Sequence, residues 1–214
     1  MGLLSASVSV ARYRVDGKIE EAVMETVHAG LKQNAITTIE DEYAEITLGW
    51  TPFGSDFNPD FEKITFTFGN FFLFSLRIDK KSVPSKIIQK YISLEIAKKL
   101  KEEGRQFLSK NEKTDIRENV TDRLMRQMPS TPNIYDLLWD HEAQSVLFFS
   151  TQKAANEELE TLFSKSFKLR LIRLFPFTLV ESSTTFSDEE RDMVLNLAPA
   201  NVNRGKVIGD DSNA

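Results

Sequence analysis

Ser5, Ser7 and Ser9 alternate with Ala6, Val8 and Val10, a period of two that predicts a half-buried strand. Asp16 then stands where it can cap a helix, and Ile19, Val23, Val27 and Leu31 recur every fourth residue to give one apolar stripe ending near Asn34. Residues 44–50 predict a second strand and residues 51–61, with Pro52, Gly54 and Pro59, a loop. Residues 63–78 predict two further strands broken at Gly69 and Asn70, the dipeptide of a tight hairpin.

The pattern then changes from two to four. Pro84 suits a first helical turn, and Ile88, Ile92, Ile96 and Leu100 follow at strict i, i+4 spacing, with Ile87, Tyr91 and Leu94 as a second apolar flank. On an ideal wheel Lys86, Lys90 and Lys101 fall within about 60° of one another and form a basic edge. Gly104 is a stop signal; Ser109 and Glu112 have capping-box spacing, and Ile116, Val120 and Leu124 line one side of the next helix, with Lys113 and Arg117 paired at i, i+4. The two helices are expected to form an antiparallel pair. Residues 133–139 and 145–150 predict hairpin strands joined across Asp140, His141, Glu142 and Ala143. A helix over 153–165, turning Ala155, Leu159 and Leu162 inward, and a strand over 168–175 complete the pattern.

The fold class expected is α+β: antiparallel sheets, with strand-helix-strand-strand units flanking a central basic helix pair. The divisions are an N-terminal α+β region over 1–79, the helix pair over 80–128, a hairpin, helix and strand returning to the sheet over 129–180, and a C-terminal segment over 181–214. Its last part, from Pro199, is rich in Asn, Gly and Asp and reads as a flexible tail.

Composition narrows the chemistry. The chain has 214 residues, no Cys and two His, so thiol nucleophiles, zinc ribbons and iron-sulfur clusters are excluded and a histidine-rich metal site has too few ligands. The longest apolar runs, Phe71 to Phe74 and Val146 to Phe149, fall far short of the ~20 residues that cross a bilayer, so no membrane is expected. Net charge is −5, but residues 77–126 hold fourteen Lys and Arg against eight Asp and Glu, a local balance of +6 that leaves −11 elsewhere. A basic middle in an acidic chain fits a localised phosphate-binding face.

Catalytic signals are sparse. Pro59-Asp60 followed by Asp79-Lys80-Lys81 matches the loose pattern of magnesium-dependent nucleases, in which Asp60 and Asp79 would hold the metal and Lys81 would polarise the attacking water. His141, between Asp140 and Glu142, reads as part of a solvated turn, and His28 as a boundary residue of its helix. Glu40, Asp41, Glu42 and Glu45 form an acidic cluster without calcium-loop spacing. There is no glycine-rich phosphate loop, nucleophile elbow or dinucleotide fingerprint. Phe66, Phe68, Phe71, Phe72 and Phe74 read as core or subunit interface rather than as base-stacking residues.

Several ordered stretches resemble the recombination-associated RdgC family of bacterial DNA-binding proteins. They are Gly49-Trp50-Thr51-Pro52, the run from Arg77 through Asp79-Lys80-Lys81 and Pro84-Ser85-Lys86 to Lys90, Gly104-Arg105, Asn111-Glu112-Lys113, Trp139, and Lys153-Ala154-Ala155 through Lys165-Ser166-Phe167. The resemblance spans about 49–179. It implies a non-catalytic protein of cytoplasm and nucleoid that binds duplex DNA with little sequence preference, forms homodimers able to close into a ring, and restrains the RecA recombinase; single-stranded DNA is a second partner to be considered. It implies no cofactor and no metal. Lys80, Lys81, Lys86 and Lys90 belong to the matching stretch; Lys98, Lys101, Arg105, Lys113 and Arg117 join them on the reading of the helix pair. Phe71, Phe72, Phe74 and Tyr91 are the expected dimer contacts. The family's exonuclease label keeps the Asp60, Asp79 and Lys81 alternative open, beside that of a protein-interaction module without DNA binding. The chain is shorter than the ring-forming members, so a segment that helps close their ring is expected to be missing.

Overall fold

The computed structural model describes residues 2–20, 22–37, 45–175, 178 and 187–196. It divides into a unit over Met1–Arg173 and a second over Leu174–Ala214. In the first, seven strands make one sheet and the fold is α+β. β1 (Ala11–Asp16), β2 (Ile46–Pro52), β3 (Thr67–Phe68), β4 (Phe71–Lys80), β5 (Thr131–Asp140), β6 (Ser145–Phe148) and β7 (Arg170–Leu174) lie in the order β2-β4-β5-β6-β1-β7, with β3 beside the start of β4. The β2–β4, β3–β4, β4–β5, β5–β6 and β1–β6 pairs are antiparallel. Gly69, at φ 60°, supplies the first turn position of the β3–β4 hairpin, a conformation that residues with a Cβ resist.

Helices α1 (Val23–Gln33) and α4 (Lys153–Phe167) pack together, and their apolar sides share one core with one face of the sheet. Alternation along each strand sends Tyr13, Trp50, Phe72, Phe74, Leu137, Trp139, Val146 and Phe148 into that core, where Trp50 and Trp139 both meet the ring of Phe167. Tyr13 keeps its hydroxyl satisfied by donating to Asn156 Oδ1 at 2.6 Å, and burial pushes its pKa up. At Gly30 the two helices approach so closely that a Cβ would stand 2.7 Å from the Ser166 carbonyl oxygen.

Between β4 and β5 the chain leaves the sheet and returns. Helices α2 (Ser85–Glu103) and α3 (Lys110–Gln127) form a separate core of their own, in which Ile116, Val120 and Leu124 of α3 meet Ile88, Ile92, Ile96 and Leu100 of α2. Lys80 and Thr131 are still cross-strand partners, so this helical arm takes the place of a hairpin loop. In the second unit, helix α5 (Asp188–Leu195) starts with a capping box between Ser187 and Glu190.

Two local expectations are corrected. Residues 5–10 form no strand: Val8 is exposed, and β1 starts at Ala11 because Tyr13 and Val15 offer much more apolar area to bury than the small residues before them. Asp16 ends β1 instead of capping a helix, and α1 starts after Ala22, which has no side-chain cap. The flanking α+β segments share one sheet, to which the last strand returns as expected. Ala44, Glu40 to Glu42 and the tail from Pro199 lie outside the described residues.

Candidate nucleic-acid interface

The arm is built from local signals. Pro84 is the N-cap of α2 and Gly104, at φ 62°, its left-handed C-cap, returning its N–H to the Leu100 carbonyl. Ser109 caps α3 in a full capping box with Glu112. At the tip Arg105 donates to both Glu103 and Glu112, and Lys99 lies 3.5 Å from Glu112. The Arg105 guanidinium, helped by the Ser109 backbone N–H and hydroxyl, holds the Glu112 carboxyl down to about 2.

The two seams between α2 and α3 differ in charge. One is a groove of about 540 Å³, floored by Ile88, Ile92 and Ile96 and edged by Ser85, Gln89, Ser93, Lys113 and Arg117, with no carboxylate in its lining. The other mixes Lys98, Lys99 and Arg123 with Glu95, Glu102 and Glu103. At about 100° per residue, Lys86, Lys90 and Lys101 continue the carboxylate-free side of α2 outward, and Lys110 joins Lys113 and Arg117 on α3. All six side chains are exposed. None of them is in an ion pair among the described residues, and Lys90 rests over the Tyr91 ring at 5.8 Å. Arginine and lysine heads free of carboxylates, beside hydroxyl and amide donors, are what a phosphate backbone needs.

The structure therefore sorts the nine cations named from the sequence. Lys86, Lys90, Lys101, Lys113 and Arg117 come together on one flank of the arm, and Lys80 is exposed at its root. Lys81 does not belong: it is buried, with its backbone N–H donated to the Glu45 carbonyl. Arg105 is spent on two carboxylates, and Lys98 lines the mixed seam, 4.0 Å from Glu102. Lys110 and the donors Ser85 and Gln89 are additions that only the packing of the two helices reveals, while Ser93 donates its hydroxyl to the Gln89 carbonyl.

The aromatic set is corrected as well. Phe72 and Phe74 are 3% and 0% exposed inside the sheet–helix core and cannot meet a second subunit. Phe71 is half-buried, while Tyr91 stands exposed on α2 with Ile87 and Leu94, away from the α3 contact.

Asp79 is likewise occupied. It lies in the sheet with its two oxygens held by Arg77 Nε at 2.7 Å and Nη2 at 2.6 Å. Asp60 pairs instead with Lys63 at 3.1 Å, which with the Glu62 backbone N–H lowers its pKa. Asp60 and Asp79 are thus tied to different cations, and Lys81 is buried. Among the described residues no three His, Asp or Glu side chains are grouped to hold a metal ion. His28 bonds the Phe61 carbonyl and stacks on Phe66, and His141 packs against Phe72, so both are built into the core's edge. Among the described residues no helix is long and apolar enough to cross a membrane.

Comparison with known proteins agrees with this architecture at the level of a family. A family model described as "Putative exonuclease, RdgC" matches residues 9–186, which takes in the whole sheet, both packing helices and the arm. No curated protein matches the chain.

Proposed function

Since the chain belongs to the RdgC family, and since its arm presents a cationic groove free of carboxylates, we propose that it is a non-catalytic protein that binds duplex DNA by the phosphate backbone. Lys86, Lys90, Lys101, Lys110, Lys113 and Arg117 neutralise phosphates and release their counterions, with Lys80 at the root of the arm. Ser85 and Gln89 add neutral hydrogen bonds that fix the strand's path. No base edge is addressed, so affinity is independent of sequence. Bound protein modulates recombination by occupying the DNA that a recombinase of the RecA type would otherwise coat, and places the protein at the nucleoid. Two copies associate through the exposed α2 stripe of Ile87, Tyr91 and Leu94.

The carboxylate-free groove carries this reading. It is tested by fluorescence anisotropy of two unrelated labelled duplexes in EDTA across a salt series, with the wild type and a Lys86/Lys90/Lys113/Arg117→Ala variant. Equal affinities are expected, with log K falling against log salt at a slope of about −5.4 if the six arm cations each neutralise one phosphate, and a slope shallower by about 3.6 in the variant. Unchanged binding by the variant would remove the arm from the interface. A single-stranded probe of equal length ranks the two forms of DNA.

A further inference from the structure

α1 and α4 cover one face of the sheet. On the other face, alternation places a different set of side chains. Along β1, Ala11, Tyr13 and Val15 are buried while Arg12 and Arg14 are exposed. Along β7, the neighbour of β1, Leu171 is buried and Arg170 exposed. None of these three arginines is in an ion pair among the described residues, although other cations of the sheet are engaged: Arg77 holds Asp79. Two carboxylates of this face are engaged, Asp136 accepting from Ser75 Oγ and the Leu3 N–H and Asp140 from the Ala143 N–H; Asp16 stands two residues beyond Arg14, at the end of β1.

We infer that Arg12, Arg14 and Arg170 form a second phosphate-contacting surface, on the open face of the sheet and outside the basic segment of the chain. The inference rests on the DNA-binding reading and extends it to another part of the same unit. Residues two apart on a strand stand about 6.8 Å from each other, so Arg12 and Arg14 leave the sheet at an interval comparable to that of backbone phosphates, and Arg170 joins them from the neighbouring strand, about 4.8 Å to the side. Arginine's planar fork suits bidentate phosphate contact. Arg12 sits opposite Leu147, and Leu147 opposite Leu138; both leucines are half-buried and give the arginine stem an apolar bed that leaves its charged head outward. A grid of free guanidinium groups without a paired acidic group favours a polyanion over a mixed-charge protein surface.

The test compares duplex binding across a salt series for the wild type, an Arg12/Arg14/Arg170→Gln variant, the corresponding Lys variant and the arm variant above. The Gln variant is expected to melt at the wild-type temperature, because all three side chains are exposed, and to show a salt slope shallower by about 2.7 with the Lys variant restoring it. A Gln variant that binds with the wild-type slope while the arm variant loses affinity overturns the inference and leaves the arm reading standing. Loss in the Gln variant alone supports the sheet surface and removes the arm. Absence of binding by the wild type at low salt ends both.

Discussion

Lys80 and Thr131 face each other across the β4–β5 ladder although the entire helical arm lies between them in sequence. The sheet is therefore closed at the base of the arm without help from it. Replacing residues 81–130 by an Asn-Gly turn is expected to leave a folded chain that melts cooperatively, with lower helix content by circular dichroism and a large loss of DNA affinity. Failure of the shortened chain to fold would show that the arm's core contributes to the sheet after all.

The Arg77–Asp79 pair makes a sharper prediction about stability than about catalysis. Its two side chains are 13% and 3% exposed, so removing the cation strands a buried carboxylate. Arg77→Ala is expected to cost about 3–5 kcal/mol in denaturant unfolding. Asp60→Asn, on the loop, should unfold with the wild type. Asp60→Asn is accordingly the informative variant for any magnesium-dependent loss of DNA: cleavage that it abolishes would restore the nuclease alternative.

Gly30 reports on the α1–α4 crossing. Alanine would gain about 1 kcal/mol of helix propensity, but its methyl would meet the Ser166 carbonyl oxygen at 2.7 Å and the Phe167 ring at 2.9 Å. Overpacking is expected to win, with a net destabilisation of about 1–3 kcal/mol measured by urea unfolding.

The tip of the arm is acid-sensitive. Glu112 has its pKa lowered from 4.5 to about 2 by Arg105 and the Ser109 cap, so the stabilisation it provides is complete above about pH 4.5 and lost as the pH falls toward 2. Helicity of α3 should decline through that window faster in the wild type than in Glu112→Gln, which has no carboxylate to titrate there. Identical acid titrations, followed by circular dichroism of the full chain, would show the cap to be inert.

Self-association gives a fifth check. Tyr91→Ala and Leu94→Ala, on the exposed α2 stripe, are expected to lower the sedimentation coefficient at micromolar concentration without changing the melting temperature. Wild-type sedimentation in both variants would take the stripe out of the interface.

Which parts of this architecture the sequence reveals depends on how local their causes are. Pro84, Gly104 and the Ser109–Glu112 pair act within one helical turn, and the arm's ends fall where they place them. The i, i+4 isoleucines of α2 likewise identify the side that meets α3. β1 is harder, because Ser5 to Val10 alternate as well as Ala11 to Val15 do, and only the bulk of Tyr13 and its bond to Asn156 decide between two strands of opposite phase. The interface is harder still. Arg105 looks like Arg117 until the chain turns back at Gly104 and brings Glu112 alongside it. Arg12, Arg14 and Arg170 escape a count of local charge altogether, since a sheet assembles them from distant segments.

The place where the arm joins the sheet also sets how the molecule bears load. β4 and β5 are interior strands, and the arm pulls on both at the same end. A load on the arm would thus draw β4 and β5 together along their own length and be resisted in shear by their ladders to β2 and β6. If the arm holds DNA as proposed, the strain of that hold is carried into the middle of the sheet, in the direction in which its hydrogen bonds act together.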